Sequence, residues 1–233
     1  MKSKCIIVLL AFQFPLFSLF AQTETDYVIS FHPEYNHSPF RLLDTFYKIK
    51  SGDSIRIETF RFYISGIEFL LNNKTVWKET ESFHLIDAAN ENSLKLVFHI
   101  PSLISYDQVK FNLGIDSLTN VSGAMGGDLD PTRGMYWTWQ NGYINLKLEG
   151  NCNLCKTRNN EFQFHLGGYQ FPLSAIQIIS LPAHQGNNMV VNIALDKLLE
   201  DWDFTYNNHI MSPSKEAVVF SKKAADAFSV PEK

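Results

Sequence analysis

Five stretches of this chain alternate apolar and polar residues with a period of two: Tyr27–His32, Phe60–Ile64, Leu94–Ile100, Ile144–Leu148 and Phe162–Leu166. Successive side chains of a strand point to opposite faces, so each stretch has one apolar face and one largely polar face, as a half-buried antiparallel strand requires. Turn-forming residues separate them at Asn72-Asn73-Lys74, Pro101-Ser102, Gly126-Gly127-Asp128, Asp130-Pro131 and Gly186-Asn187-Asn188. Gly66 interrupts one run, after which the apolar positions shift to Ile67, Phe69 and Leu71, the pattern of a bulge or bend. Roughly ten strands at this spacing predict a sandwich or barrel. Helix is expected late, with Ser212 and Pro213 opening a segment over Ser214–Phe228 that lines up Val218, Ala225 and Phe228, and a shorter helix over Asp196–Trp202. The expected fold is all-β, an antiparallel β-sandwich with a C-terminal helix, occupying residues 22–233 as one domain.

Residues 1–21 are read apart from that domain. Lys2 and Lys4 precede the apolar run Ile6–Phe20, which ends at Ala21. A basic start, a run short for a bilayer and a small residue at the cut describe a secretory signal peptide, so a periplasmic or secreted protein is expected. Cys5 precedes the apolar run, so it is no lipid-attachment cysteine. In the whole chain 20 basic residues face 24 acidic ones for a formal charge of −4, and removal of Lys2 and Lys4 leaves the remainder more acidic. That balance argues against nucleic acid, which is bound by neutralising phosphates. No later apolar stretch is long enough to span a membrane. Cys152 and Cys155 form a lone Cys-x-x-Cys. In an oxidising compartment they can close a small-loop disulfide; a zinc ribbon would need a second pair, and haem attachment would place His where Lys156 stands.

The alternation also places the histidines. If Phe31, Phe83, Phe98 and Phe164 face the core, then His32, His84, His99 and His165 face away from it. Imidazoles on such a face suit copper or zinc; equally, a histidine on a solvated strand face needs no ligand at all. Trp137 and Trp139 are spaced so that in a strand they share one face, either as a large contribution to a core or as a stacked pair available to a ligand or oxidant. Asp116, Asp128 and Asp130 lie in or beside a Gly-rich region and are either calcium ligands or turn caps; their spacing is not that of an EF-hand.

Several strings, in order along the chain, carry a resemblance: Phe60-Arg-Phe-Tyr-Ile-Ser-Gly-Ile, Ser82-Phe-His-Leu-Ile-Asp-Ala, Phe111-Asn-Leu-Gly-Ile-Asp-Ser, Asn120-Val-Ser-Gly-Ala and Leu129-Asp-Pro. Further along come Gly134-Met-Tyr-Trp-Thr-Trp-Gln-Asn-Gly-Tyr143, Phe164-His-Leu-Gly-Gly and His209-Ile-Met-Ser-Pro. Together they resemble the methanobactin-associated MbnP-like family of exported copper-binding proteins, over about Phe31 to Phe228. The resemblance implies a β-rich domain holding one copper through histidines and a kynurenine, the latter made from tryptophan by a partner di-haem enzyme related to cytochrome c peroxidases. Carried to this chain, it points to Trp137 or Trp139 for the modification. It points to His32 and His165 first among the ligands, then His84 and His209, with Met135 a nearby thioether. The Cys152/Cys155 loop departs from many relatives. No nucleophile triad, H-E-x-x-H, phosphate loop or dinucleotide motif is present, so a non-enzymatic copper carrier or store is expected. The alternatives are an adhesion or carbohydrate-binding sandwich with an aromatic ligand face, and a copper enzyme with an open coordination position.

Overall fold

The structure, a computed structural model, describes residues 23–231; the expected leader, Met1–Ala21, lies outside the described residues. Ten longer strands carry the fold: β1 (Glu24–Tyr35), β2 (Ser54–Leu71), β3 (Lys74–Lys78), β4 (Phe83–Asp87), β5 (Lys95–Pro101), β6 (Gln108–Leu113), β7 (Gly142–Cys152), β8 (Glu161–Gly167), β9 (Gln177–Pro182) and β10 (Asn188–Ala194). Two-residue pairings at Ser38–Pro39, Tyr47–Lys48, Tyr136–Trp137, His209–Ile210 and Phe228–Ser229 complete the ladders. The helices are α1 (Ser117–Ser122), α2 (Leu195–Leu199) and α3 (Lys215–Asp226).

The first sheet runs Phe228–Ser229, β10, β1, with β5 and Ser38–Pro39 on the far side of β1. In the second, β2 joins two ladders, one through β6 to β9 and one through β7 and β8 to His209–Ile210. Their inner faces meet in one apolar core, where Phe31 of β1 lies edge-on to Phe62 at 5.9 Å and to Phe111 at 6.2 Å. The expected all-β sandwich with its C-terminal helix is thus formed. Two of its pairings are parallel, β1 with β10 and β8 with His209–Ile210, because the chain returns to both sheets from their far ends.

Strand β2 organises the second sheet. Along one edge its first half, Ile55 to Phe62, pairs with β7 and its second half, Ile64 to Leu70, with β6; β4 pairs with Arg61–Ser65 on the opposite edge. Where β6 gives way to β7, the buried Asn145 amide oxygen accepts the Ile115 N–H at 3.0 Å and satisfies a donor the ladder cannot. The bulge expected at Gly66 is present: pairing with β6 slips between Ser65 and Glu68, and Gly66 sits at φ +59°, a conformation with little cost only for glycine.

α3 begins two residues later than expected. Ser214 is the cap, accepting the Ala217 N–H at 3.1 Å, while Pro213 packs against Gly168. The helix buries Ala217, Phe220, Ser221 and Ala224 rather than the Val218–Ala225 side. Phe220 decides this, since its ring reaches Trp202 at 4.3 Å and Phe164 at 5.0 Å. α2 is likewise shorter than the expected Asp196–Trp202 and ends at Leu199.

Phe164 joins β8 to α3 and is fully buried, whereas Phe171 is 96% exposed. Phe164→Ala is expected to lower the free energy of unfolding by about 3–5 kcal/mol and Phe171→Ala by about 0.5 kcal/mol or less, as read from urea denaturation.

Candidate metal centre

The outer face of the second sheet holds the polar residues of β7 and β8. Inner positions Leu146, Leu148, Phe162, Phe164 and Leu166 belong to the main core. Their alternates Lys147, Glu149, Gln163, His165 and Gly167 therefore share the opposite face, with Lys147 directly across from His165. His165 is only 7% exposed. Its Nε2 lies 2.6 Å from Glu149 Oε1, and this hydrogen bond is the main reason the Glu149 carboxyl is held below the usual carboxylate range. Burial pushes the Lys147 ammonium below its ordinary value, while its Nζ donates to the Gly134 carbonyl at 2.6 Å.

That last bond ties a loop across the face. Two short turns, Gly127–Leu129 and Pro131–Arg133, lead into Tyr136–Trp137, which pairs with Gly142–Tyr143. A second apolar cluster forms beneath, from Tyr63, Leu85, Ile115, Leu129, Met135, Trp137, Tyr143 and Ile144. Trp137 is 5% exposed, and its six-membered ring lies over Gly167, where a Cβ would come within 2.5 Å of Cζ3. Its Nε1 is buried with no hydrogen-bond partner among the described residues. Trp139 follows the strand rather than sharing its face. It is 66% exposed, yet its ring centre is 5.9 Å from that of Trp137. Met135 is fully buried in the cluster.

A further segment borders this face. Ile210 is buried in the main core and pairs with Phe164, and His209 pairs with Gln163, so alternation puts the exposed His209 on the same side as His165. The segment continues past the exposed Met211 to Pro213, which packs against Gly168; continued for one more residue, the parallel register would set Met211 opposite His165. Met211 and Glu149 escaped sequence reasoning. Glu149 could have been found by extending the polar face of the Ile144–Leu148 run by one position; Met211 becomes visible only once the parallel pairing is known.

The other residues singled out in the sequence lie elsewhere. His32 is exposed on the outer face of the first sheet, beside Glu34 and His37, with the whole sandwich core between it and His165. His84 engages Glu79 at 2.8 Å and lies edge-on to Phe98 at 5.8 Å. It therefore faces the side of the main core, while Phe83 and Leu85 serve the second cluster. The expected orientation is reversed there because both faces of β4 are covered. Asp116 accepts the Thr119 N–H at 2.9 Å and Asp130 the Thr132 N–H at 2.8 Å, each securing its own turn, while Asp128 accepts the Leu85 N–H at 3.0 Å and ties its turn to β4. Among the described residues no three His, Cys, Asp or Glu side chains are placed to share one ion. Cys152 and Cys155 are free, buried thiols on the core side of the second sheet, away from His165.

Because the folded carboxyl of Glu149 ionises below its unfolded value, its contribution to stability is complete above the unfolded pKa and fades as pH falls through the folded one. Glu149→Gln is therefore expected to flatten the acid limb of a stability–pH profile. At neutral pH it should cost about 1–3 kcal/mol through the weakened bond to His165, both effects measured by denaturant titration across the carboxylate range.

The family model described as MbnP matches residues 24–212. No curated protein matches the chain. Among solved structures, MbnP from Methylosinus trichosporium superposes with a TM-score of 0.64 at 15% identity, over 84% of this chain and 87% of that one, which shows a common fold. With a family model spanning the two sheets and the outer-face residues together, this chain belongs to the MbnP family.

Proposed function

We propose that this protein is an exported copper carrier or store that binds one copper ion on the outer face of the second sheet, through His165 with His209 and Met211, beside Trp137. The observation that supports it most is the His165–Glu149 bond. Metal-ligating histidines commonly donate one ring N–H to a carboxylate, which fixes the tautomer and raises the basicity of the other nitrogen. With Nε2 held by Glu149, Nδ1 is left as the donor. Two imidazoles and a thioether form a set that Cu(I) accepts, whereas hard cations prefer oxygen.

Trp137 fits an oxidative role better than Trp139 does. Its indole N–H is buried without an acceptor among the described residues, so the intact ring has an unmet hydrogen bond. Conversion to kynurenine opens the five-membered ring and puts an aniline nitrogen and a ketone oxygen in its place, both able to serve a metal. The oxidising partner in this reading is a di-haem enzyme related to cytochrome c peroxidases, acting outside the cytoplasm on a chain that is itself no catalyst. No helix among the described residues is long and apolar enough to cross a membrane.

Exposure of Trp139 and Phe171 favours one other reading, a surface on which sugar rings stack. Anaerobic competition titration with Cu(I) separates the two. His165→Ala is expected to abolish tight binding, Glu149→Gln to weaken it about 10–100-fold, and Trp139→Ala to leave it nearly intact. Equal, weak affinity in all four proteins, together with polysaccharide retention lost only in Trp139→Ala, would replace the copper reading with the sugar one.

A further inference from the structure

The Cys-x-x-Cys loop lies outside the copper reading and carries chemistry of its own. Cys152 ends β7 opposite Ile55 of β2, and its N–H donates to Asn160 O at 2.8 Å. The Cys155 N–H donates to Cys152 O at 3.0 Å, closing a turn that keeps the two Cα atoms within about 7 Å, the span a disulfide bridges without moving the backbone. Both side chains are 1% exposed. The turn sets the Cys155 thiol next to Cys152, and that neighbour, helped by the Leu154 and Cys155 backbone N–H groups, outweighs burial in its effect on the Cys152 thiol. This is an arrangement that stabilises an anion.

We propose that Cys152 and Cys155 are a redox-active dithiol, in which Cys152 is the nucleophile and Cys155 the resolving thiol, oxidised by an anionic low-molecular-weight disulfide of the glutathione class. The two thiols differ in the required sense. The hydrogen bond from Cys155 pulls the Cys152 thiol down to about 7, and donating that bond pushes the Cys155 thiol up. The Cys152 thiolate attacks one sulfur of the disulfide, the S–S bond breaks, and the first thiolate leaves and takes a proton from water. Cys155 then releases its proton to water and its sulfur attacks Cys152 Sγ, expelling the second thiolate. The pair loses two electrons and two protons, and the small disulfide becomes two thiols.

Access comes through the hairpin loop between β7 and β8. Asn153, Lys156, Arg158, Asn159 and Asn160 are exposed. Thr157 and Asn159 bond to Glu161 of the same hairpin, so the tip is held mainly by its own bonds, and reaching the thiols requires it to lift from the core that Cys152, Leu154 and Cys155 pack against. Lys156 and Arg158 give that opening a positive charge suited to an anionic disulfide. The thiols lie on the core side of the sheet, opposite Glu149 and His165, so this inference does not depend on copper binding.

The test uses the full chain with Cys5→Ser, so that only the pair reports, in glutathione buffers of rising potential. Intact mass is expected to fall by two hydrogens in one step, with alkylation dropping from two adducts to none. Cys155→Ser should trap one glutathione on Cys152, and Cys152→Ser should react about tenfold more slowly. Thiols that stay reduced in the most oxidising buffer, glutathione retained on both cysteines of the parent chain, or faster reaction of Cys152→Ser than of Cys155→Ser would each overturn the proposal.

Discussion

Strand β2 is eighteen residues long, and its edges are shared among β7 and β6 on one side and β4 on the other. A strand of that length cannot stay flat, because strand twist accumulates along it. The slip at Gly66 takes up the change in register, so its two halves serve different neighbours while Ile57, Phe60, Phe62, Ile64, Ile67 and Phe69 all remain in the main core. The outer face follows from this. Tyr63 of β2 is turned away from the main core and instead seeds the second cluster with Leu85, Met135 and Trp137. Its hydroxyl donates to Asp128 O at 2.9 Å and fastens the loop above it.

The second sheet is consequently covered on both sides, and this sets the limit of what alternation reveals. In β1 and β8 one face is apolar and the other polar, so the directions of Phe31 and Phe164, and with them His32 and His165, can be read from spacing. In β4 the string Phe83-His-Leu-Ile has apolar residues for two separate clusters, and periodicity alone does not say which cluster is the larger. The positions of His165, Trp137 and His209 relative to one another are of a different kind. They depend on a pairing between residues 163–164 and 209–210 and on a loop crossing from residue 127 to 141, contacts between segments far apart in the chain that no local pattern encodes. The late start of α3 was hidden for a local reason. Ser212 and Ser214 both suit a cap, and packing of Pro213 against Gly168 decides between them.

Lys147, Glu149 and His165 are an expensive way to cover a sheet face. Taking charged groups out of water costs several kcal/mol per ion, and apolar residues of similar size would cover the face without that cost. The two compensations present are specific ones: the ammonium holds the Gly134 carbonyl, and the carboxylate holds one nitrogen of the imidazole. The first fixes the loop that brings Trp137 over Gly167; the second fixes the His165 ring two residues earlier on the same face of β8. Both compensations act on one stretch of the outer face, from Lys147 and Glu149 of β7 across to His165 and Gly167 of β8.

Gly167 shows how narrow that geometry is. The indole rests where any side chain on β8 would stand, since a Cβ there would meet Trp137 carbons at 2.5 and 2.8 Å and the Tyr143 carbonyl at 2.7 Å. Residue 167 is therefore limited to glycine by packing. The indole nitrogen, on the other ring, is buried without an acceptor among the described residues, at a cost of about 1–3 kcal/mol. Trp139, 5.9 Å away, has no such constraint and remains largely in solvent. The packing that fixes the six-membered ring over Gly167 and the unmet hydrogen bond on the five-membered ring thus lie on opposite sides of one indole, so a change confined to the five-membered ring would leave the contact with Gly167 in place.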